Sequence, residues 1–274
     1  MRIQELLTES TYHKLPAIKT VFEADWDNEP IKHYTDDEQR EIHRSEELPY
    51  TSVDSSINKY TTNQGKHWNN FLHRHYRGRS TNTDHNRYAN HVISTDAALT
   101  KNTLKKDYVL YTGLNESPSL AFELYNQPTD KPLTVHLPAY TSTTTSWRIA
   151  VKFAWNHFST KETDAHYGGK PVEKYDRTRH ELLDINGEKI KELPDNPNKR
   201  SIDILRIFVP AGTTGGSVYD ISYNTGEFEV LLPRGLNVII SPKPHVMYQF
   251  AADIYVWNAK VVGHDPQPVE LVKS

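Results

Sequence analysis

The sequence predicts an α+β fold. Three observations carry that reading: helical periodicity is concentrated in the first half, short strand patterns fill the last third, and the two do not alternate as βαβ units would. The chain has 274 residues, 36% of them hydrophobic and 24% charged, enough for one or two domains with a sizeable core. It shows no internal repeat.

Residues 1–45 are polar and acid-rich, with Asp25-Trp26-Asp27 and Asp36-Asp37-Glu38, and predict an extended or loosely helical arm. A helical region is expected from about Tyr50 to His75, where Trp68, Phe71, Leu72 and His75 fall on one face. A short helix over Ser94–Lys105, capped by Ser94 or Thr95, should follow. The first strand reads as Asp107–Tyr111, stopped by Gly113, and the second as Leu133–Leu137. Ser146 then caps a helix whose Trp147, Ala150, Val151, Ala154 and Phe158 form an apolar stripe. Residues 159–201 are charged and punctuated by Pro and Gly, and read as a surface insertion with an Asn186-Gly187 hairpin turn. The remaining strands are expected at Ile202–Val209, Ser217–Ile221, Glu227–Leu232, Leu236–Ile240 and Val246–Val262. One domain over residues 46–274 follows from this pattern.

Composition narrows the function. A formal charge of −3 argues against coating nucleic acid by bulk electrostatics. The absence of Cys removes disulfides, thiolate zinc sites and Cys nucleophiles. The 14 His show no paired metal-ligand spacing, so no metal is expected. No apolar run approaches the roughly 18 residues of a membrane span, and the N-terminus lacks the apolar stretch of a secretory signal. A soluble protein is expected.

Three segments could carry chemistry. In Gly226-Glu227-Phe228-Glu229-Val230-Leu231-Leu232-Pro233-Arg234-Gly235, strand alternation would put Glu227 and Glu229 on one side, with Cα atoms roughly 6.5 Å apart. Two like charges that close raise at least one pKa, which suits a general base. A half-buried strand with a wet acidic face has the same pattern. In Tyr140-Thr141-Ser142-Thr143-Thr144-Thr145-Ser146 the hydroxyls can orient a carboxylate or an amide, or cap the next helix. In Leu110-Tyr111-Thr112-Gly113-Leu114, the glycine allows close backbone approach by a ligand, or makes a plain turn.

In this order the segments resemble the ADP-ribosyltransferase exoenzyme family, the class with an arginine, a Ser-Thr-Ser element and a Glu-x-Glu element. Leu205-Arg206-Ile207-Phe208-Val209-Pro210-Ala211-Gly212 adds the strand ending in Pro-x-Gly that precedes the family's active-site loop. The resemblance implies two packed, roughly perpendicular β-sheets with N-terminal helices, and NAD as substrate. It implies that Glu229 holds the nicotinamide ribose as charge develops, and that Glu227 positions and deprotonates the acceptor. Ser142 would orient Glu229 or the nicotinamide side. Tyr111, Thr112, Gly113, Tyr140, Thr143, Thr144 and Arg148 would line the NAD site, and Tyr223 and Phe228 would meet the acceptor. A Glu at the first Glu-x-Glu position is similar to the subgroup that modifies protein arginine. Acceptor alternatives are nucleic acid, or water in an NAD glycohydrolase; a catalytically degenerate binding module is the alternative of another kind.

The chain departs from the family at its first motif, where aromatic-Arg-Gly is replaced by Tyr111-Thr112-Gly113. Tyr76-Arg77-Gly78 spells the triplet but follows a helix and reads as a decoy; Arg148, Lys152 or Arg206 could supply the cation instead. At the N-terminus, Leu7-Thr8-Glu9 is similar to the Leu-x-Glu cleavage signal of capsid-targeted internal head proteins of large tailed bacteriophages. That likeness implies removal of residues 1–9 and delivery from a virion into the host cytoplasm to modify host proteins. Any amphipathic N-terminal helix would look the same.

Overall fold

The computed structural model describes residues 31–48, 55–114, 120, 124, 131–156, 165–167, 170–172, 174–176, 181–183, 189–192, 201–222, 227–249 and 252–271. Leu7-Thr8-Glu9, most of the N-terminal arm, the Asn186-Gly187 turn and Tyr223 lie outside the described residues.

The end of the arm is a regular helix, α1 (Asp36–Ser45), which corrects the extended or loosely helical expectation there. Its start is set by a capping box: Thr35 Oγ1 accepts from the Glu38 amide at 3.2 Å, and the Glu38 carboxylate accepts from the Thr35 amide at 2.7 Å. Its buried face carries Gln39, Ile42 and His43. Next, α2 (Ser55–Lys59) runs through an irregular turn at Tyr60–Gln64, kinked at the extended Thr62, into α3 (Gly65–Tyr76), which buries Trp68, Phe71 and Leu72 as the periodicity predicts. Helix α4 (Asn82–Leu99) replaces the expected Ser94–Lys105. A second capping box, Thr81 with Asp84, starts it twelve residues earlier, and the stripe Tyr88, Ala89, Val92, Thr95, Leu99 continues from there. Beyond Leu99 the chain leaves the helix because Leu104 N donates to Thr213 O at 2.9 Å and the Asn102 amide donates to Gly215 O at 2.7 Å.

Nine strands form one hydrogen-bonded system. Its path runs β10 (Gly216–Ser217), β11 (Glu229–Leu232), β3 (Thr141–Thr144), β1 (Tyr108–Gly113), β9 (Ser201–Val209), β14 (Ala252–His264), β12 (Leu236–Ile240) and β2 (Leu133–Leu137), with β13 (His245–Gln249) beside β14. Only β9 and β14 pair in parallel along this path. Helix α5 (Trp147–Asn156) follows β3 directly. Among the described residues of the charged insertion, β4 (Ala165–Tyr167) pairs antiparallel with β5 (Lys170–Val172), and β7 (Glu181–Leu183) pairs antiparallel with both β6 (Lys174–Asp176) and β8 (Lys189–Glu192).

The core explains how one path makes two layers. Leu110, Leu205, Val230 and Leu232 from one end share a buried cluster with Val135, Val238 and Ile240 from the other, so the sheet curls around a common interior. Its opposite face carries the helices. Leu231 and Tyr140 pack with Trp68, Phe71, Val92 and Leu99 of α3 and α4, while Tyr111, Ile204 and Val256 pack with Trp147, Ala150 and Ala154 of α5. The α+β architecture with N-terminal helices thus follows from which side each strand residue faces. Among the described residues, no helix is long and apolar enough to cross a membrane.

Candidate active site

Strand register brings the hydroxyl segment and the acidic segment together. β3 and β11 pair antiparallel with Glu229 opposite Thr144, Val230 opposite Thr143 and Leu231 opposite Ser142. Residues opposite each other project to the same side, so Ser142, Thr144, Glu229 and Leu231 share the helix-bearing face. Along the strands Ser142 stands between the two helix-packed clusters, two residues from Tyr140 in one and diagonal to Tyr111 in the other. It is exposed, while Glu229 beneath it is only 5% exposed.

The Ser142 hydroxyl donates to Glu229 Oε1 at 2.6 Å. Burial pushes the Glu229 carboxyl up to about 7; the Ser142 hydrogen bond pulls it down, and the Glu227 carboxylate raises it further. The site therefore holds a carboxyl that changes charge near neutrality beneath an open hydroxyl.

Glu227 reaches this site differently from the sequence expectation. The strand begins at Glu229, two residues later than expected, and Phe228 has φ of +47°. A left-handed step at a bulky residue interrupts the period-two alternation, so one strand face does not place both carboxylates. The turn is held from β3: Thr144 Oγ1 donates to Glu227 O at 2.8 Å, and Thr145 N donates to Phe228 O at 3.3 Å. Glu227 is half-buried and close enough to act on Glu229 electrostatically.

The other expected site residues divide. Thr144 opposes both Glu229 and Tyr111, and Tyr111 opposes Arg206, so Glu229, Thr144, Tyr111 and Arg206 form one row across four strands. Arg206, only 2% exposed, lies three strands from Glu229, about 14 Å by strand spacing. Tyr111 is buried, its hydroxyl donates to Lys32 O at 2.9 Å, and burial raises its phenol. Arg148 is exposed on α5.

Several residues expected to contact NAD have structural partners of their own. Thr112 opposes Leu205, an interior residue, and so projects to the face away from Glu229. Gly113 is explained by packing: a Cβ there would stand 3.0 Å from Ala154 Cβ of α5. Thr143 is buried, and its hydroxyl donates to Val230 O at 2.6 Å. Tyr140 is also core. It is 3% exposed, its hydroxyl donates to Asp96 Oδ1 at 2.7 Å with Val92 O also within reach at 2.9 Å, and burial followed by the Asp96 carboxylate drives its phenol well up. Asp96 is gripped in turn by Arg234, whose Nε and Nη2 reach Oδ2 at 2.9 and 2.7 Å. The Pro-Arg-Gly end of the acidic motif is thus a brace onto α4, and Gly235, at φ +78°, lies where a Cβ would strike Pro266.

Residues 189–254, which include Glu227-x-Glu229, match the sequence model of the ADP-ribosyltransferase exoenzyme family. No curated protein matches the chain in sequence. Among solved structures, the chain resembles Plx2a, an ADP-ribosyltransferase toxin from Paenibacillus larvae, at 16% identity, covering 83% of this chain and 96% of that one, with a TM-score of 0.53. This chain has the ADP-ribosyltransferase fold. An ADP-ribosyltransferase from Clostridium botulinum is similar at 16% identity over 85% of this chain and all of its own, with a TM-score of 0.48. The Vis toxin from Vibrio splendidus is similar at 14% identity over 86% and 89%, with a TM-score of 0.45. In this ADP-ribosyltransferase fold, among the described residues, no group of three or more His, Asp or Glu is placed to hold a metal ion. Two side chains at the turn carried no motif in the sequence: His43 of α1 and Tyr219, whose rings lie against Phe228.

Proposed function

We propose that the protein is a mono-ADP-ribosyltransferase that passes ADP-ribose from NAD to a protein arginine. The observation that carries the reading is the buried Glu229 carboxyl, held by exposed Ser142, with a second carboxylate two residues earlier on a tied turn.

In this reading the bond between C1′ of the ribose and the nicotinamide nitrogen breaks, and its electron pair neutralises the pyridinium. The ribose becomes oxocarbenium-like, and the ionised Glu229 faces the growing positive charge; a carboxylate fixed beforehand needs no reorganisation at that moment. Glu227, more exposed, accepts a proton from the acceptor guanidinium as its nitrogen forms the new bond to C1′. Ser142 fixes the Glu229 carboxylate and leaves its other oxygen for the ribose. Arg206, on the same row, is the cation this reading assigns to the pyrophosphate side in the absence of an arginine at position 112.

The test is incubation with labelled NAD and mixed protein, RNA and DNA. Label in nuclease-resistant protein, lost in Glu227→Ala and released by arginine-specific chemistry, supports the reading. Label in nucleic acid would move the acceptor, and hydrolysis without transfer would make the protein an NAD glycohydrolase.

A further inference from the structure

The turn between the two carboxylates is occupied by a residue in an unfavourable backbone state. Phe228 has a β-carbon and a bulky ring, yet adopts φ of +47°. Such a conformation persists where surrounding contacts over-determine it. Here those contacts are a three-ring cluster. The Phe228 and Tyr219 rings are stacked at 5.3 Å and 17°, His43 and Tyr219 at 5.2 Å and 28°, and His43 and Phe228 meet at 5.5 Å and 37°.

His43 is fixed from both ring nitrogens. Its Nδ1 lies 2.6 Å from Ser217 Oγ and its Nε2 3.4 Å from Thr145 Oγ1, the residue whose amide holds Phe228 O. Ser217 Oγ also accepts from the Tyr219 amide at 3.2 Å, so the two rings that flank Phe228 share an anchor. Burial holds the His43 imidazole down to about 4, which keeps it an uncharged ring near neutral pH.

The two carboxylates depend on this cluster unequally. Glu229 lies in the β3–β11 ladder, is bonded to Ser142, and its carbonyl accepts from Val218 N at 3.1 Å. Glu227 precedes the ladder and is joined to it through the left-handed turn at Phe228. We propose that His43, with Tyr219, clamps the Phe228 ring and is thereby a positioning residue for Glu227, controlling transfer to the acceptor separately from cleavage of NAD. This rests on the transferase reading above.

The test compares two rates in each variant: nicotinamide release without acceptor, and ADP-ribosyl transfer to a short arginine peptide. In His43→Asn, which loses the ring, transfer is expected to fall about tenfold while nicotinamide release stays within about twofold. His43→Phe, which keeps a ring, should restore most of the transfer. Tyr219→Leu should repeat the His43→Asn pattern from the other side of Phe228. A merely structural role would lower both rates together, and that equal loss, or a His43→Phe variant no better than His43→Asn, overturns the clamp and leaves the transferase reading standing. A wild-type protein that releases no nicotinamide overturns the reading and the clamp's catalytic role together.

Discussion

The Ser142 hydroxyl donates to Glu229 Oε1 across two paired strands, from the open side of the sheet onto a carboxyl that is nearly enclosed. A hydrogen bond to the charged form favours ionisation, opposing the burial that disfavours it. Removing it in Ser142→Ala should move the Glu229 pKa above about 7 and lower kcat/KM at neutral pH about tenfold. The check is the pH profile: the ascending limb should shift to higher pH, with part of the loss recovered in alkaline buffer.

The wild-type profile carries its own sign. In the proposed mechanism the ionised carboxyl is the active form, so kcat/KM of the free enzyme should rise through about pH 7. Stability should run the other way. A carboxyl raised from 4.5 to about 7 binds more protons folded than unfolded between those values, so stability declines as pH rises across that window. Glu229→Gln, neutral throughout, should therefore gain up to roughly 3 kcal/mol over wild type above pH 8 and little below pH 4.5. Urea midpoints at both pH values measure the difference.

Gly113 tests packing against ligand contact. With Ala154 Cα and Cβ 3.1 and 3.0 Å from where a Cβ would sit, Gly113→Ala requires α5 to give by a few tenths of an ångström against β1. A loss of about 1–3 kcal/mol in unfolding free energy is expected. Unchanged stability with weakened NAD binding would return the glycine to the ligand site.

Arg234 is expected to act through stability. Arg234→Met breaks a bidentate pair with Asp96 and disturbs the Tyr140 hydroxyl that shares it. The loss should be about 3 kcal/mol, with Asp96 partly solvated and therefore less costly to strand than a fully buried charge. Thermal unfolding of the variant reads this directly.

How much of the site is legible in the sequence depends on whether the deciding contact is local. The pairing of Ser142 with Glu229 is legible because a hydroxyl segment and an acidic segment stand on strands that the β3–β11 register joins. Strand alternation misplaces Glu227, since it assumes an unbroken strand through Phe228, whose φ is positive and whose ring lies against a helix 185 residues earlier in the chain. Tyr140 and Thr143 look available as sequence but spend their hydroxyls on Asp96 and Val230 O. Thr112 is drawn to the site by its neighbours in sequence, while pairing with Leu205 turns it to the other face. The starts of α1 and α4 are readable in principle, as Thr35-x-x-Glu38 and Thr81-x-x-Asp84 capping boxes. His43 has no local signal at all.

The proposed mechanism rests on one enclosed carboxyl, that of Glu229, and release of nicotinamide from NAD tests it most directly. Wild-type protein should release nicotinamide steadily, and Glu229→Gln, the same shape without the charge, should slow that release by at least about a hundredfold while remaining folded. Equal release by both proteins, or none by either, would contradict it.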